Sequence, residues 1–390
     1  MSQNYLPTIP SQEYKQRWEK IQNVMDNGNL DMIIAYSNDR SVFGQAHARW
    51  IADYPVHLEP VIILMFKEGN PVMTSGIESI GYIKKRSKVS EVYAMKEFTL
   101  PEEEYSDTNV KAFADIISEK IDIKKIKKVG IAGIDIMDIN TWTAIQAFLG
   151  PIEWVDIENK MCELRAIKTP DEIKVLRYTY KIANKAFEAA VAAIKPGVTE
   201  MEVAAEADYI MRKAGAEEGG IDTMVSSGPN CGLIISRSTS RRIEENDIVR
   251  VVVAPKYEGY NGAISRPIFV GKPDKKMKEI YDLVCSAREA CLLKVKAGEK
   301  GSVVEGSGRN LLKEAGFEYS YSGVHSVGVK EFEYPIYGPK TKGELKEGMV
   351  ISIEVPLFEQ SWGGFHTEDG CIVKNNGAEI LNNTLTYIEK

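Results

Sequence analysis

The stretch Glu163-Leu164-Arg165-Ala166-Ile167-Lys168-Thr169-Pro170-Asp171-Glu172-Ile173 divides the chain. Its second half reads as a helix start. Thr169 is a capping residue, Pro170 suits the first turn, and Glu172, three residues after the threonine, completes a capping box. Ile173, Leu176, Tyr180, Ala183, Phe187, Ala190 and Ile194 then recur on one helical face until Pro196-Gly197 stops it. Thr199-Glu200-Met201-Glu202 repeats the box, and Val203, Ala207, Ile210 and Met211 give the next helix its buried stripe. Beyond Gly219-Gly220 strand-like runs dominate: IDTMVSS (221–227), DIVRVVVAPKY (247–257) and AISRPIFVG (263–271). Helices are predicted at about 273–296 and 302–315, followed by the strands GMVISIEVPLF (348–358) and GGFHTEDGCIV (363–373). Long helices among antiparallel-looking strands predict an α+β domain over 159–390.

On the other side of the dividing stretch the pattern differs. SQEYKQRWEKIQNVMDNG (11–28) has helical spacing, and DMIIAYS (31–37) and PVIILMF (60–66) read as buried strands. Further strands are expected in 70–75, 88–95 and 127–134, with a helix at 111–121. This alternation predicts a separate α/β domain over 1–158. No glycine-rich phosphate loop follows any of its strands, so a nucleotide function has no support.

Composition narrows the classes. The 390 residues carry 49 basic and 56 acidic side chains, a net charge of −7, which argues against a nucleic-acid backbone binder. Hydrophobic residues make up 44% and charged residues 27%, enough for sizeable cores. No apolar run approaches the roughly 18–20 residues a membrane span needs, and the polar start lacks a signal core. The five cysteines form no C-x-x-C pair, so reduced thiols in a cytoplasmic protein are expected. Only four histidines are present, His47, His57, His325 and His366, which limits where histidine chemistry can sit.

The dividing stretch resembles the lead-in to the catalytic domain of the creatinase / aminopeptidase P superfamily. The likeness continues through SSGPNCG (226–232), 244–271, GVHSVGV (323–329), GMVISIEVP (348–356) and TEDG (367–370). It implies an α/β N-terminal domain followed by a pita-bread catalytic domain, in a homodimer whose subunits often close each other's sites. Metallo-members hold two metal ions with two aspartates, a histidine and two glutamates. Carried onto this sequence, the aspartates fall on Val252 and Ala263, while the rest are retained as His325, Glu354 and Glu368. Two outer histidines of the proline-specific peptidases fall at about Ile235 and on Phe332. A dinuclear site needs several anionic oxygens, so no metal and no other cofactor is expected. The alanine at 263 and the string His325-Ser326-Val327-Gly328-Val329 are similar to creatinase, the metal-free branch. Creatinase's catalytic histidine, however, aligns with Ile235-Ser236.

These residues give the candidate site. His325 is the expected acid/base, and the Glu354–Glu368 pair, without a metal between them, either shares a proton or binds a cationic head group. Glu354 lies within an apolar strand, where the alternative is a salt bridge to an arginine. His366 points to the same strand face as Glu368 and either replaces a lost histidine or lies at the rim. The segment GQAHARWIADYPVHLEP (44–60) is either a surface loop or a lid, with Arg49 as carboxylate anchor and Trp50 as wall; Tyr334 adds to that wall. Arg266 reads as a structural ion pair. The leading expectation is a creatinase-like, metal-independent hydrolase of a C–N bond in a small zwitterionic or cationic substrate. An Xaa-Pro peptidase-like metalloenzyme with a degenerate site and a non-catalytic binding homologue are the alternatives.

Overall fold

A computed structural model describes residues 6–40, 42–99, 110–384 and 388–390. The chain forms two compact units, Ile9–Leu164 and Arg165–Lys390, the second including the N-terminal residues up to Thr8. The division falls inside a helix, Glu158–Ala166.

The N-terminal unit runs α1 (Ser11–Gly28), β1 (Met32–Ser37), α2 (Ala46–Ala52), β2 (Val61–Phe66), β3 (Val72–Ser75), α3 (Ile80–Arg86) and β4 (Glu91–Met95). It continues with β5 (Val110–Lys111), α4 (Phe113–Ser118), β6 (Lys128–Ala132), α5 (Ile139–Leu149), β7 (Glu153–Asp156) and α6 (Glu158–Ala166). One mixed sheet has the order β5-β4-β3-β2-β1-β6-β7. Met32, Ile34, Tyr36, Ile62 and Leu64 alternate onto one of its faces and form a core with Phe113, Ile116 and Ile145 from the helices.

The second unit begins with α7 (Pro170–Ala193) and α8 (Glu200–Lys213), both opened by the expected capping boxes. Thr169 accepts the Glu172 N–H at 3.2 Å, and the Glu172 carboxylate accepts the Thr169 N–H at 2.8 Å. Then follow β8 (Glu218–Gly219), β9 (Met224–Ser227), β10 (Ile248–Val253), β11 (Pro255–Tyr257), β12 (Tyr260–Asn261) and β13 (Ile264–Phe269). The unit ends with α9 (Lys275–Lys294), α10 (Gly301–Glu314), β14 (Val324–Ser326), β15 (Glu333–Tyr337), β16 (Val350–Gln360), β17 (Gly363–Lys374) and β18 (Gly377–Ile380).

Its main sheet is antiparallel, in the order β15-β14-β16-β17-β13-β10-β9, with β18 added beside β17. Alternation assigns the two faces. Val355, Leu357 and Phe365 pack with Tyr281, Val284 and Leu312 of α9 and α10. Ile351, Ile353, Cys371 and Val373 join Cys291, Val295 and Val304 in a neighbouring cluster. The intervening residues Ser352, Glu354, His366 and Glu368 therefore occupy the opposite face. The apolar half of each long strand builds the core, and the polar half is left for chemistry.

Candidate active site

Strand register brings the polar residues together. On the face away from α9 and α10, Val252, Ser265, Glu368 and Glu354 lie side by side across β10, β13, β17 and β16. One step along the strands, Ser352 is opposite both His325 and Gly370. One step the other way, Arg250 is opposite Ser226, and His366 precedes Glu368 by two residues. Residues far apart in sequence thus share one surface because each is an alternate position on a neighbouring strand.

Glu354 is the hub. Its Oε1 accepts from His325 Nε2 at 2.6 Å, and its Oε2 accepts from His366 Nε2 at 3.0 Å and from the Tyr321 hydroxyl. Burial opposes charge on this carboxyl, but the two imidazoles outweigh it and hold Glu354 well below the usual carboxylate range. The other ring nitrogen of His325 lies 3.0 Å from the Ser326 carbonyl oxygen, so it must donate a proton. With both nitrogens facing acceptors, His325 is raised above its ordinary value despite complete burial. His366 goes the other way: burial, together with the positive Arg250 and Arg266, lowers it although it also touches Glu354. Ser265 Oγ lies 2.8 Å from His366 Nδ1, which suits a neutral ring accepting from the hydroxyl.

Glu368 and Glu331 are shifted the opposite way from Glu354. Burial and the charges of Glu354 and Glu331 push Glu368 far up, with the Ser352 hydroxyl 2.8 Å from its Oε1. Glu331 is raised by burial to about 7, where it exchanges a proton readily near neutral pH. His325, Glu331 and Glu368 present ligand atoms within 4.8 Å of one another. The arrangement supplies a carboxylate, an imidazolium, a neutral acid and a group poised at neutrality.

The other expected residues are placed differently. The alternative of a salt bridge between Glu354 and an arginine is not met among the described residues; histidines stand beside it. Segment 44–60 is not an open loop: α2 is buried, Arg49 faces Asp53 at 3.2 Å, and Trp50 lies beneath the Arg17 guanidinium at 5.3 Å. A guanidinium paired with its own i+4 carboxylate is no longer an uncommitted anchor, because α2 has its own polar partners and apolar packing. Tyr334 is 43% exposed on β15. Arg266 pairs with Asp369 and donates to the Glu368 carbonyl at 2.8 Å, so it is a structural ion pair. Tyr321, Glu331, Arg250 and Tyr180 were missed; the only signal was polarity or charge within otherwise apolar or small-residue segments.

The sequence profile described as "Metallopeptidase family M24" matches residues 174–375. The chain belongs to metallopeptidase family M24. The Xaa-Pro dipeptidase of Pyrococcus furiosus is 35% identical to this M24 chain over 234 residues, 60% of this chain and 67% of that protein. An uncharacterized peptidase of Bacillus subtilis is 30% identical over 267 residues, 68% and 74% of the two chains. The structure of the Pyrococcus horikoshii prolidase has a TM-score of 0.82 at 26% identity, covering 95% of this chain and 99% of that one. The P. furiosus prolidase gives 0.78 at 26% identity, with 93% and 99% covered. The fold is thus the pita-bread fold of the creatinase / aminopeptidase P superfamily, and the chain is a peptidase-type hydrolase.

The M24 chain's residues do not fit a two-metal centre. Val252 and Ala263, where the resemblance puts the aspartates, are buried and offer no side-chain oxygen. The Tyr180 ring of α7 presses into this region: a Cβ on Gly370 would come within 2.0 Å of it and one on Gly262 within 3.0 Å. Two three-residue sets retain ligand atoms, His325/Glu331/Glu368 and Glu354/His366/Glu368. In each set the imidazole already has polar partners at both nitrogens, and in the second both Glu354 oxygens accept hydrogen bonds as well.

Proposed function

We propose that the protein hydrolyses the C–N bond of a small, dipeptide-sized amide, with its own acid and base groups in place of a metal pair. The relatives favour a peptide-like substrate over the creatinase-like one that the sequence reading put first. The observation that carries the mechanism is the His325–Glu354 pair, set beside Glu331 and Glu368 on the face where Val252 and Ala263 leave no metal aspartates.

In this reading Glu331 takes a proton from water as its oxygen attacks the carbonyl carbon. Neutral Glu368 donates a hydrogen bond to the developing oxyanion. The C–N bond then breaks, and the His325 imidazolium gives up its Nε2 proton, until then hydrogen-bonded to Glu354, to the departing nitrogen. Tyr321 and His366 keep the Glu354 carboxylate fixed. We take the protein to be a cytoplasmic homodimer, which its five free, buried thiols and the superfamily likeness support.

The test is turnover of Xaa-Pro and other dipeptides, and of guanidino acids, by metal-analysed protein with chelator or with added manganese, zinc or cobalt. Dipeptide hydrolysis indifferent to chelation supports the proposal. Activity that appears only with stoichiometric metal would replace it with a degenerate-site metallopeptidase, whose ion would have to displace hydrogen bonds in one of the two residual ligand sets.

A further inference from the structure

Arg250 is the anomaly of the buried charges. The described residues include five other buried arginines, and each faces a carboxylate: Arg17 with Glu13, Arg49 with Asp53, Arg165 with Glu333, and Arg266 and Arg288 with Asp369. Arg250 is 1% exposed and has no carboxylate partner among the described residues. Its Nη1 donates to the carbonyls of Leu233 (2.9 Å) and Ile234 (3.3 Å), and its Nη2 to the hydroxyls of Ser226 (3.2 Å) and Ser236 (3.0 Å). Its Nε has no acceptor. A buried cation held only by neutral groups is costly and lacks a counter-charge.

Its place in the sheet says what that counter-charge is for. Arg250 and Val252 are alternate residues of β10 and share the catalytic face, separated by about 7 Å of strand. The guanidinium lies 4.9 Å from the Phe358 ring, which stacks against Tyr321 (6.3 Å), and Tyr321 bonds Glu354. At the same end, Leu233 (51%) and Ile235 (87%) expose apolar side chains to solvent. The face has two metal-binding carboxylates fewer than the resemblance leads one to expect, and a cation more.

Building on the proposed hydrolase, we propose that Arg250, with the Ser226 and Ser236 hydroxyls, is an anion site that takes the carboxylate of a small substrate and points its C–N bond toward His325. Substrates are then free acids, with any apolar part against Leu233 and Ile235. The guanidinium's open Nε–H is a donor such a group requires, and the Ser226 and Ser236 hydroxyls, which share a 2.7 Å hydrogen bond with each other, leave one O–H to add a second.

The test uses calorimetric binding to the full chain of three acids, L-proline, glycine betaine and guanidinoacetate, each against its amide. At least one acid is expected to bind tenfold or more tighter than its amide. Arg250→Gln erases that preference, Arg250→Lys keeps part of it, and Ser236→Ala weakens the acid severalfold while sparing the amide. Equal binding of acid and amide in every pair, including no binding at all, overturns the proposal, as does a folded Arg250→Gln that keeps the preference. The wild-type comparison decides even if Arg250→Gln fails to fold. Turnover of Ala-Pro is measured in parallel: selective acid binding without turnover sinks the hydrolase reading and leaves the anion site standing.

Discussion

At the residue scale, the three carboxyls of the site, Glu331, Glu354 and Glu368, differ because their surroundings differ, not their chemistry. Glu354 has three donors around it and stays ionised, whereas Glu368, equally buried, faces like charges and keeps its proton. On the proposed mechanism Glu331, raised to about 7, sets the acid limb of the rate. As pH rises through about 7 it loses its proton and becomes the base, so kcat/KM should climb there and fall again once His325 deprotonates above its ordinary 6.5. Glu331→Gln should remove the acid limb and slow turnover by about 10²-fold or more; an unchanged pH profile would reassign the base. Glu368 gives an opposite signature in stability. The unfolded chain loses this proton near 4.5 while the fold retains it, so stability declines as pH rises above 4.5 toward the raised folded value. Glu368→Gln should therefore raise the melting temperature at pH 8, with little effect at pH 4, while cutting turnover. A variant less stable at pH 8 than the parent would show that Glu368 is ionised in the fold.

At the scale of elements, β16 and β17 do the positioning, and α7 closes the region of the missing aspartates. Because Glu354 and Glu368 are directly opposite in register, a slip of one residue would turn both into the core. Gly370 matters for what it lacks: its Cβ would strike the Tyr180 ring at 2.0 Å. Gly370→Ala should cost about 1–3 kcal/mol by overpacking. Adding Tyr180→Ala should recover part of that loss, and a strictly additive double mutant in denaturant titrations would argue against the contact. Thr169→Ala, at the start of α7, should cost about 1 kcal/mol through the lost cap without altering the pH profile. The capping boxes, helices and long strands were legible because their signals are local: a threonine, a glutamate three residues on, and an apolar period. Segment 44–60 stayed open between a loop and a lid because seven residues of α2 carry no helical stripe distinguishable from a loop; the burial of α2 comes from neighbours that periodicity cannot see.

At the scale of the whole molecule, the described residues contain no helix long and apolar enough to cross a membrane, and all five cysteines are free and buried. The acidic balance of the chain does not extend to Arg250, whose local field opposes the net charge of −7. Metal independence is a property testable on the intact protein. Chelation followed by gel filtration should leave melting temperature and activity unchanged, and added manganese should not raise the melting temperature; a dose-dependent rise would indicate a bound ion.

By itself the sequence determined the two-part organisation and the pita-bread resemblance, and through that resemblance the expectation that His325, Glu354 and Glu368 are retained while Val252 and Ala263 stand where metal aspartates would. Those are statements about residue identity and local pattern, which a linear chain carries openly. Only the tertiary structure decided that Glu354 pairs with two histidines and Tyr321, that Glu331 joins the cluster, that Arg49 faces Asp53, and that Arg250 has no carboxylate beside it. The reason is physical: a side chain's charge state and availability depend on what packs within a few ångströms, and folding chooses those neighbours, whether from the next turn of a helix, as for Arg49, or from another strand, as for Glu354.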